Sequence, residues 1–118
     1  MITGAHVIIH SENADAVRAF FGDTLGFSSV DAGNGWLIYA LPPAELAAHP
    51  TGGAAHHELY LICDEIHATV AELEKRGVEF SRPISDERWG QITAIKLPDG
   101  GELGLYEPKH PTPSRPTG

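Results

Sequence analysis

The chain contains one pattern twice, and each copy is too short to fold alone. An alternating strand, an amphipathic helix ended by glycine and several short strands begin at His6 in HVIIHSENADAVRAFFGDTLGF and again near Glu58 in HELYLICDEIHATVAELEKRGVEF. One such copy cannot bury a sufficient hydrophobic core by itself. We therefore expect two copies to pack side by side as one folding unit, with a cleft between them that is the natural place for chemistry.

Composition predicts one globular domain and excludes several partners. The 118 residues are 42% hydrophobic and 20% charged, which suits a packed core. Acidic residues outnumber basic residues 16 to 8, and the basic residues form no stripe, so nucleic acid is not an expected partner. The single cysteine, Cys63, cannot form an intramolecular disulfide, and we expect it to be an inert buried thiol.

The N-terminal sequence MITGAHVIIH has neither a charged region nor a long apolar region typical of a signal peptide. No apolar run is long enough to cross a bilayer. We therefore expect a cytoplasmic protein without a membrane partner.

The first copy is predicted to contain a helix between strands. Residues 4–10 alternate as a strand, with Val7 and Ile9 expected under the helix and His6 on the cleft face. Ser11 or Asn13 caps a helix that ends at Gly26. The residues expected on its apolar face are Val17, Phe20, Phe21 and Leu25. The further strands are predicted at 27–32, 35–41 and, more weakly, 44–49, before a linker at 50–53.

The second copy repeats this order. Leu59, Leu61 and Cys63 are expected under a helix that Asp64 caps and Gly77 ends, which leaves Glu58 and Tyr60 in the cleft. Strands are predicted near 78–81, 91–97 and 102–107, with a polar loop at 85–90. The tail 109–118, rich in Pro and Thr, is expected to be disordered.

Several phrases together resemble one superfamily. They are the HV-x-I start, the FF-x-x-x-LGF helix end, ATVAEL-x-x-RGVEF and the final PDG-x-E-x-x-L-Y-E. The chain resembles the vicinal oxygen chelate superfamily, which includes glyoxalase I, extradiol dioxygenases, and fosfomycin- and bleomycin-resistance proteins. The resemblance implies an α+β domain over residues 1–108, built from two βαβββ modules, about 4–49 and 56–108, that form a pair of half-barrels.

The resemblance also implies a metal site. His6, His49 and Glu58 match ligand positions, and a slip of one residue would nominate His57 instead of Glu58. Where the enzymes usually carry a last-strand carboxylate, this chain has Gly104. The remaining two histidines and one carboxylate would suit Fe(II) or Mn(II), with Ni(II) and Zn(II) as other candidate ions and no organic cofactor. The alternative is that these residues are solvated at the rim of the cleft.

Aromatic residues are the candidates for a substrate pocket. Tyr60 and Tyr106 share the predicted faces of Glu58 and Gly104, so they are expected to form its walls. Gly104 would leave room for a planar ligand to approach the backbone. Trp89 is expected to act either as a lid or as a hydrophobic cover for the edge of the barrel.

Two functions compete at this stage. In the first, the cleft binds a divalent metal and a small oxygen-chelating substrate, as in a metal-dependent lyase or dioxygenase; no catalytic residue can be assigned. In the second, the protein sequesters a small molecule without a metal, as bleomycin-resistance proteins do. A partner-binding module with a vestigial cleft ranks last. The resemblance further implies a homodimer, with the cleft formed either within one chain or across two.

Overall fold

The computed structural model describes residues 6–44, 47, 49–54 and 56–111. The first half contains helix α1 (Ala14–Ala19), a π-helical turn (Phe20–Thr24) and strands β1 (Ser29–Asp31) and β2 (Leu37–Tyr39). The second half contains β3 (Tyr60–Ile62), α2 (Ile66–Lys75), β4 (Glu79–Glu87), β5 (Gly90–Lys96) and β6 (Glu102–Pro108). The predicted α+β fold class is confirmed.

The second half forms the βαβββ unit that the sequence predicts. Its sheet has the strand order β3-β6-β5-β4, in which β3 runs parallel to β6 and the other neighbours are antiparallel. Because β3 and β6 are parallel, the chain must cross over between the ends of the sheet, and α2 makes this crossover. The helix consequently covers one face of the sheet.

The hydrophobic core lies between the helices and this sheet. From the helical segments come Val17, Phe20, Phe21, Ile66 and Leu73, and from the sheet and its adjoining turns come Val78, Ile95, Leu97, Leu103 and Leu105. Leu59, Leu61 and Cys63 pack against this cluster, which confirms the predicted face of β3. The opposite face of β3 therefore points away from the core.

Helix α2 begins with a cap that the sequence did not indicate. Glu65 occupies the capping position without capping through its side chain, and Asp64, the predicted cap, precedes it. The backbone N–H of Ile66 instead donates to Oε1 of Glu107, on the last strand, at 2.7 Å. This bond links the start of the helix to β6. At the other end, Gly77 has φ +83° and ends the helix as predicted.

The first half matches the prediction only in part. The apolar helix face and the stop at Gly26 (φ +76°) are confirmed, and β1 pairs with β2 as a short antiparallel hairpin. The strand predicted at 4–10 is wrong for residues 6–10, which lie outside any strand. Val7 and Ile9 are exposed rather than packed under the helix. Side-chain alternation alone forms no strand where the backbone lacks a pairing partner.

The strand predicted at 44–49 is also absent at residues 44, 47 and 49, while 45, 46 and 48 lie outside the described residues.

The loop predicted at 85–90 is wrong because most of this segment is strand: β4 continues to Glu87 and β5 begins at Gly90. Of the two register shifts in β4, the one between Arg82 and Ser85 spans Pro83, and the hydroxyl of buried Thr93 donates to the backbone oxygen of Arg82 at 2.8 Å. A tight turn thus replaces a polar loop.

Part of the predicted disordered tail is held against the sheet. The backbone N–H of Lys109 donates to the backbone oxygen of Trp89 at 2.9 Å, and its ammonium group is paired with Asp86. Residues 112–118 lie outside the described residues. None of the helices in the described ranges has the length and apolar character that a membrane span requires.

Replacing Glu107 with Ala should destabilise the protein by about 1 kcal/mol, because the first turn of α2 loses its acceptor. Glu107→Gln retains an acceptor oxygen and should cost less than half as much. The free energy of unfolding from urea denaturation measures both. Equal stability of Glu107→Ala and the wild type would show that this bond does not stabilise the helix.

Candidate functional site

The open face of the second-half sheet carries the candidate site. Strand residues alternate between two faces, so Leu61, Leu103 and Leu105 point towards the core while Tyr60 and Gly104 share the other face. A cavity of about 330 Å³ lies on this side, and its ionisable side chains are His57, Glu58, Tyr60, Arg82 and Glu102. The predicted pocket side of β3 is therefore a concave surface with mixed charge.

One row of residues runs across this face from edge to edge. Tyr60 lies opposite Gly104, Gly104 lies opposite Ala94, and Ala94 lies opposite Arg82. All four line the cavity. The two residues in the middle of the row are small, with a tyrosine at the β3 end and an arginine at the β4 end.

The Tyr60 ring lies directly over Gly104. A methyl group placed at Gly104 would be well inside van der Waals contact with the Tyr60 ring. The expectation that Gly104 leaves room for a ligand to reach the backbone is therefore wrong, because the ring of Tyr60 occupies that space. Gly104 is instead the position that allows the ring to pack closely against β6.

A second tyrosine repeats this arrangement. A methyl group at Gly90 would lie 2.5 Å from Cε1 of Tyr106, so this ring also covers a glycine. The Tyr106 ring centroid is 6.2 Å from that of Tyr60 and 5.4 Å from that of Trp89, with both pairs edge to face. Tyr60, Tyr106 and Trp89 thus form one aromatic surface. We call these three rings the aromatic surface.

Glu58 lies at the edge of the aromatic surface and is held from two sides. The Tyr60 hydroxyl donates to Glu58 Oε2 at 2.7 Å, and Nε2 of His56 lies 3.4 Å from Oε1. The Tyr60 hydroxyl and, to a lesser degree, His56 and His49 hold the pKa of Glu58 below its ordinary value. The Ala54 carbonyl and Glu58 raise the pKa of His56. Glu58 therefore stays ionised.

The residues predicted to bind metal are not gathered into a metal centre. Among the described residues, which include His6, His49 and Glu58, no three His, Cys, Asp or Glu side chains are placed to hold one ion. Glu58 is already engaged by Tyr60 and His56, and the Tyr60 ring covers the position at 104 where the enzymes carry a carboxylate. A metal does not fit this arrangement within one chain, and the triad stays a prediction.

Sequence reasoning missed three members of this site. Gly90 supports Tyr106, Arg82 closes one end of the row, and His56 pairs with Glu58. The role of Gly90 could have been found from the sequence, since a glycine within a strand often marks the close approach of another group. The other two depend on the strand register, which the sequence pattern did not define.

A larger cavity, of about 590 Å³, lies between the ends of both helices and the turn at Pro98–Gly100. Its charged side chains are Arg76, Lys96, Glu79 and Asp99, two of each sign. It includes none of the aromatic surface, whereas the smaller cavity includes Tyr60 and adjoins Tyr106 through that ring, so we place the candidate site there. Cys63 is outside both cavities, and burial raises the pKa of its thiol, as expected for an unreactive cysteine.

Replacing Tyr60 with Phe should raise the pKa of Glu58, because the hydroxyl that donates to its carboxylate is the main cause of the low pKa. The ring remains, so its packing on Gly104 is preserved. An NMR pH titration of the Glu58 side-chain carboxyl carbon measures this change. No change in the pKa of Glu58 in Tyr60→Phe would contradict the assigned role of the hydroxyl.

No curated protein matches this chain. Solved structures do. An antibiotic-binding protein from a Streptomyces species is 25% identical, with a TM-score of 0.66 over 92% of this chain and 98% of its own. A glyoxalase/bleomycin resistance protein/dioxygenase superfamily member from Sphaerobacter thermophilus is 27% identical, with a TM-score of 0.61 over 90% of this chain and 98% of its own.

A lactoylglutathione lyase from Agrobacterium tumefaciens is 15% identical, with a TM-score of 0.59 over 89% of this chain and 92% of its own, and this likeness concerns the fold alone. The family model described as Glyoxalase/Bleomycin resistance protein/Dioxygenase superfamily matches residues 4–105. The repeated pattern, the βαβββ unit and this match lead to one conclusion: the chain belongs to the Glyoxalase/Bleomycin resistance protein/Dioxygenase superfamily.

Proposed function

We propose that this protein binds a small, planar aromatic molecule on its concave face and holds it without making or breaking a bond. The observation that carries the proposal is the aromatic surface, in which two tyrosine rings lie on glycines beside Trp89. Rings packed against the backbone of a sheet are preorganised for contact with a ligand, because little further conformational freedom is lost when a ligand binds. The 37% exposure of Tyr60 leaves its ring accessible.

The chemistry of the cavity favours binding over catalysis. It combines apolar side chains and the Tyr60 ring with a few charged groups, which is the usual composition of small-molecule sites, and Tyr106 and Trp89 extend the aromatic surface beyond it. Each aromatic contact contributes about 0.5–1.5 kcal/mol beyond the burial of its area. The similarity to an antibiotic-binding protein from Streptomyces supports the same class of function and suggests an antibiotic-like ligand.

The metal-dependent alternative uses His6, His49 and Glu58 to bind a divalent ion, which would polarise adjacent oxygens of a substrate. One observation favours it: His49 is near enough to Glu58 to influence its pKa. The engagement of Glu58 by Tyr60 argues against it, so we rank sequestration first.

The proposal predicts binding of acridine, which is planar and uncharged at pH 7.5. A Trp36→Phe protein retains Trp89 as its only tryptophan, so quenching of its fluorescence reports ligand at the aromatic surface. Replacing Tyr106 with Ala in this protein should weaken binding two- to tenfold, the equivalent of about 0.5–1.5 kcal/mol. Lys75→Ala, on the exposed side of α2, is the control and should leave the affinity unchanged.

A metal titration of the metal-depleted protein separates the two functions. Sequestration predicts that Fe(II), Mn(II), Ni(II) and Zn(II) leave the melting temperature unchanged. Stabilisation by one equivalent of ion that is lost in both His6→Ala and Glu58→Gln would establish the metal-dependent function instead, because a ligand that binds only the folded state must stabilise it. Absence of acridine binding, with no response to metal, would contradict both.

We also propose that a second copy of the chain covers the exposed apolar residues of the first half. The cross-strand pair Val30 and Ile38 is exposed on a two-stranded hairpin, and Ile8 and Trp36 are also exposed, at 65% and 69%. An isolated hairpin is marginally stable, and an apolar area of this extent on a monomer usually marks an interface. The open backbone of residues 6–10 could pair with a strand of the partner.

Light scattering after size exclusion should therefore give twice the chain mass for the wild type. The double variant Val30→Lys/Ile38→Lys places two charges in the proposed interface and should shift the protein to the monomer. Glu74→Lys adds a charge on α2 and should leave the dimer intact. A wild-type monomer at high micromolar concentration would contradict the proposal.

A further inference from the structure

The orientation of Glu58 follows from a short series of contacts. Gly104 lacks a side chain, so the Tyr60 ring rests on β6. The resting ring brings its hydroxyl to 2.7 Å from Glu58 Oε2. The carboxylate is thereby held at the edge of the aromatic surface, although Glu58 itself is exposed and would otherwise sample several rotamers.

We propose that Gly104 and Tyr60 act as a matched pair that determines ligand selection, because the ring aims the Glu58 carboxylate at a positively charged group of the bound aromatic molecule. This inference rests on the binding function proposed above and adds a ligand class and a specificity-determining pair. Tyr60 contacts the ligand and positions Glu58. Gly104 acts only through the ring that lies on it.

The cavity carries other charges of both signs. Arg82 lies at the opposite end of the row, three strand spacings or about 14 Å from Tyr60 along the sheet. Glu102 accepts a hydrogen bond from the Ser81 hydroxyl, and His57 also lines the cavity. Because Glu102 reaches Ser81 on β4, both ends of the row carry a carboxylate, and Glu58 is distinguished by the Tyr60 hydroxyl that holds it at the edge of the aromatic surface.

The contact between Gly104 and Tyr60 explains why even Gly104→Ala should alter which ligands the protein binds. The added methyl of Gly104→Ala cannot coexist with the ring in its present position. The ring must swing off β6, which moves the hydroxyl away from Glu58 and removes one wall of the cavity. Alanine has no backbone strain at this position, so the strand itself is preserved.

The test compares acridine with 9-aminoacridine, which has a similar planar ring system but is cationic at pH 7.5. Binding is read from the fluorescence anisotropy of each compound. The wild type should bind the cation more tightly, and Glu58→Gln should reduce the ratio of the two affinities roughly fivefold, as for a partly exposed charge pair. Tyr60→Phe should reduce it two- to threefold. Glu74→Gln removes the same charge from α2 and should leave the ratio unchanged.

A double-mutant cycle tests the pairing itself. Gly104→Ala should weaken binding of both compounds at least threefold in the wild type and have no effect in a Tyr60→Ala protein, because the three atoms nearest to the added methyl all belong to the Tyr60 ring. Equal effects in both proteins would overturn the pairing. Equal affinity of the wild type for both compounds would overturn the inference and leave the proposed function intact. Binding of neither compound would overturn the proposed function itself. Melting temperatures of all variants confirm that each is folded.

Discussion

The packing of α2 against one face of the second-half sheet is the constraint on which the rest of the structure depends. Ile66 and Leu73 meet Leu103 and Leu105 in the buried cluster. Once this face is buried, side-chain alternation commits the intervening residues of β3 and β6 to the open side. The site is therefore a consequence of the core: a shift of one residue in either strand would bury Tyr60 and expose a leucine.

On the open side, two glycines determine how the aromatic residues are used. A tyrosine projecting freely from a sheet is a flexible side chain, whereas a ring laid on Gly104 or Gly90 is a fixed surface. The same placement brings the Tyr60 hydroxyl to Glu58 and lowers the pKa of that carboxyl. The contact of the Tyr60 ring with Gly104 thus sets the position of the ring, the ionisation of Glu58 and the proposed preference for a cationic ligand. At Gly104 the last strand has no carboxylate, and the Tyr60 ring covers this position.

The sequence predictions are correct where the pattern is local, and they fail where a contact between distant residues decides the structure. The apolar stripe of α2, the stop at Gly77 and the alternation in β3 are local, and the structure confirms them. The strand at residues 6–10 requires a partner strand, and a pattern of side chains cannot supply one. Similarly, the cap from Glu107 joins residues 41 positions apart, so the local motif indicated Asp64 instead.

The sequence by itself determined that the second half is a βαβββ unit. It also determined that Glu58, Tyr60, Gly104 and Tyr106 share the open face of this unit, because its apolar residues recur with a period of 2 in the strands and 3.6 in the helix. Only the tertiary structure decided that rings cover the glycines, that Arg82 ends the row and that Glu58 is held by Tyr60. These contacts depend on strand register and side-chain rotamers. Both are set by packing between distant segments, so no local pattern of residues predicts them.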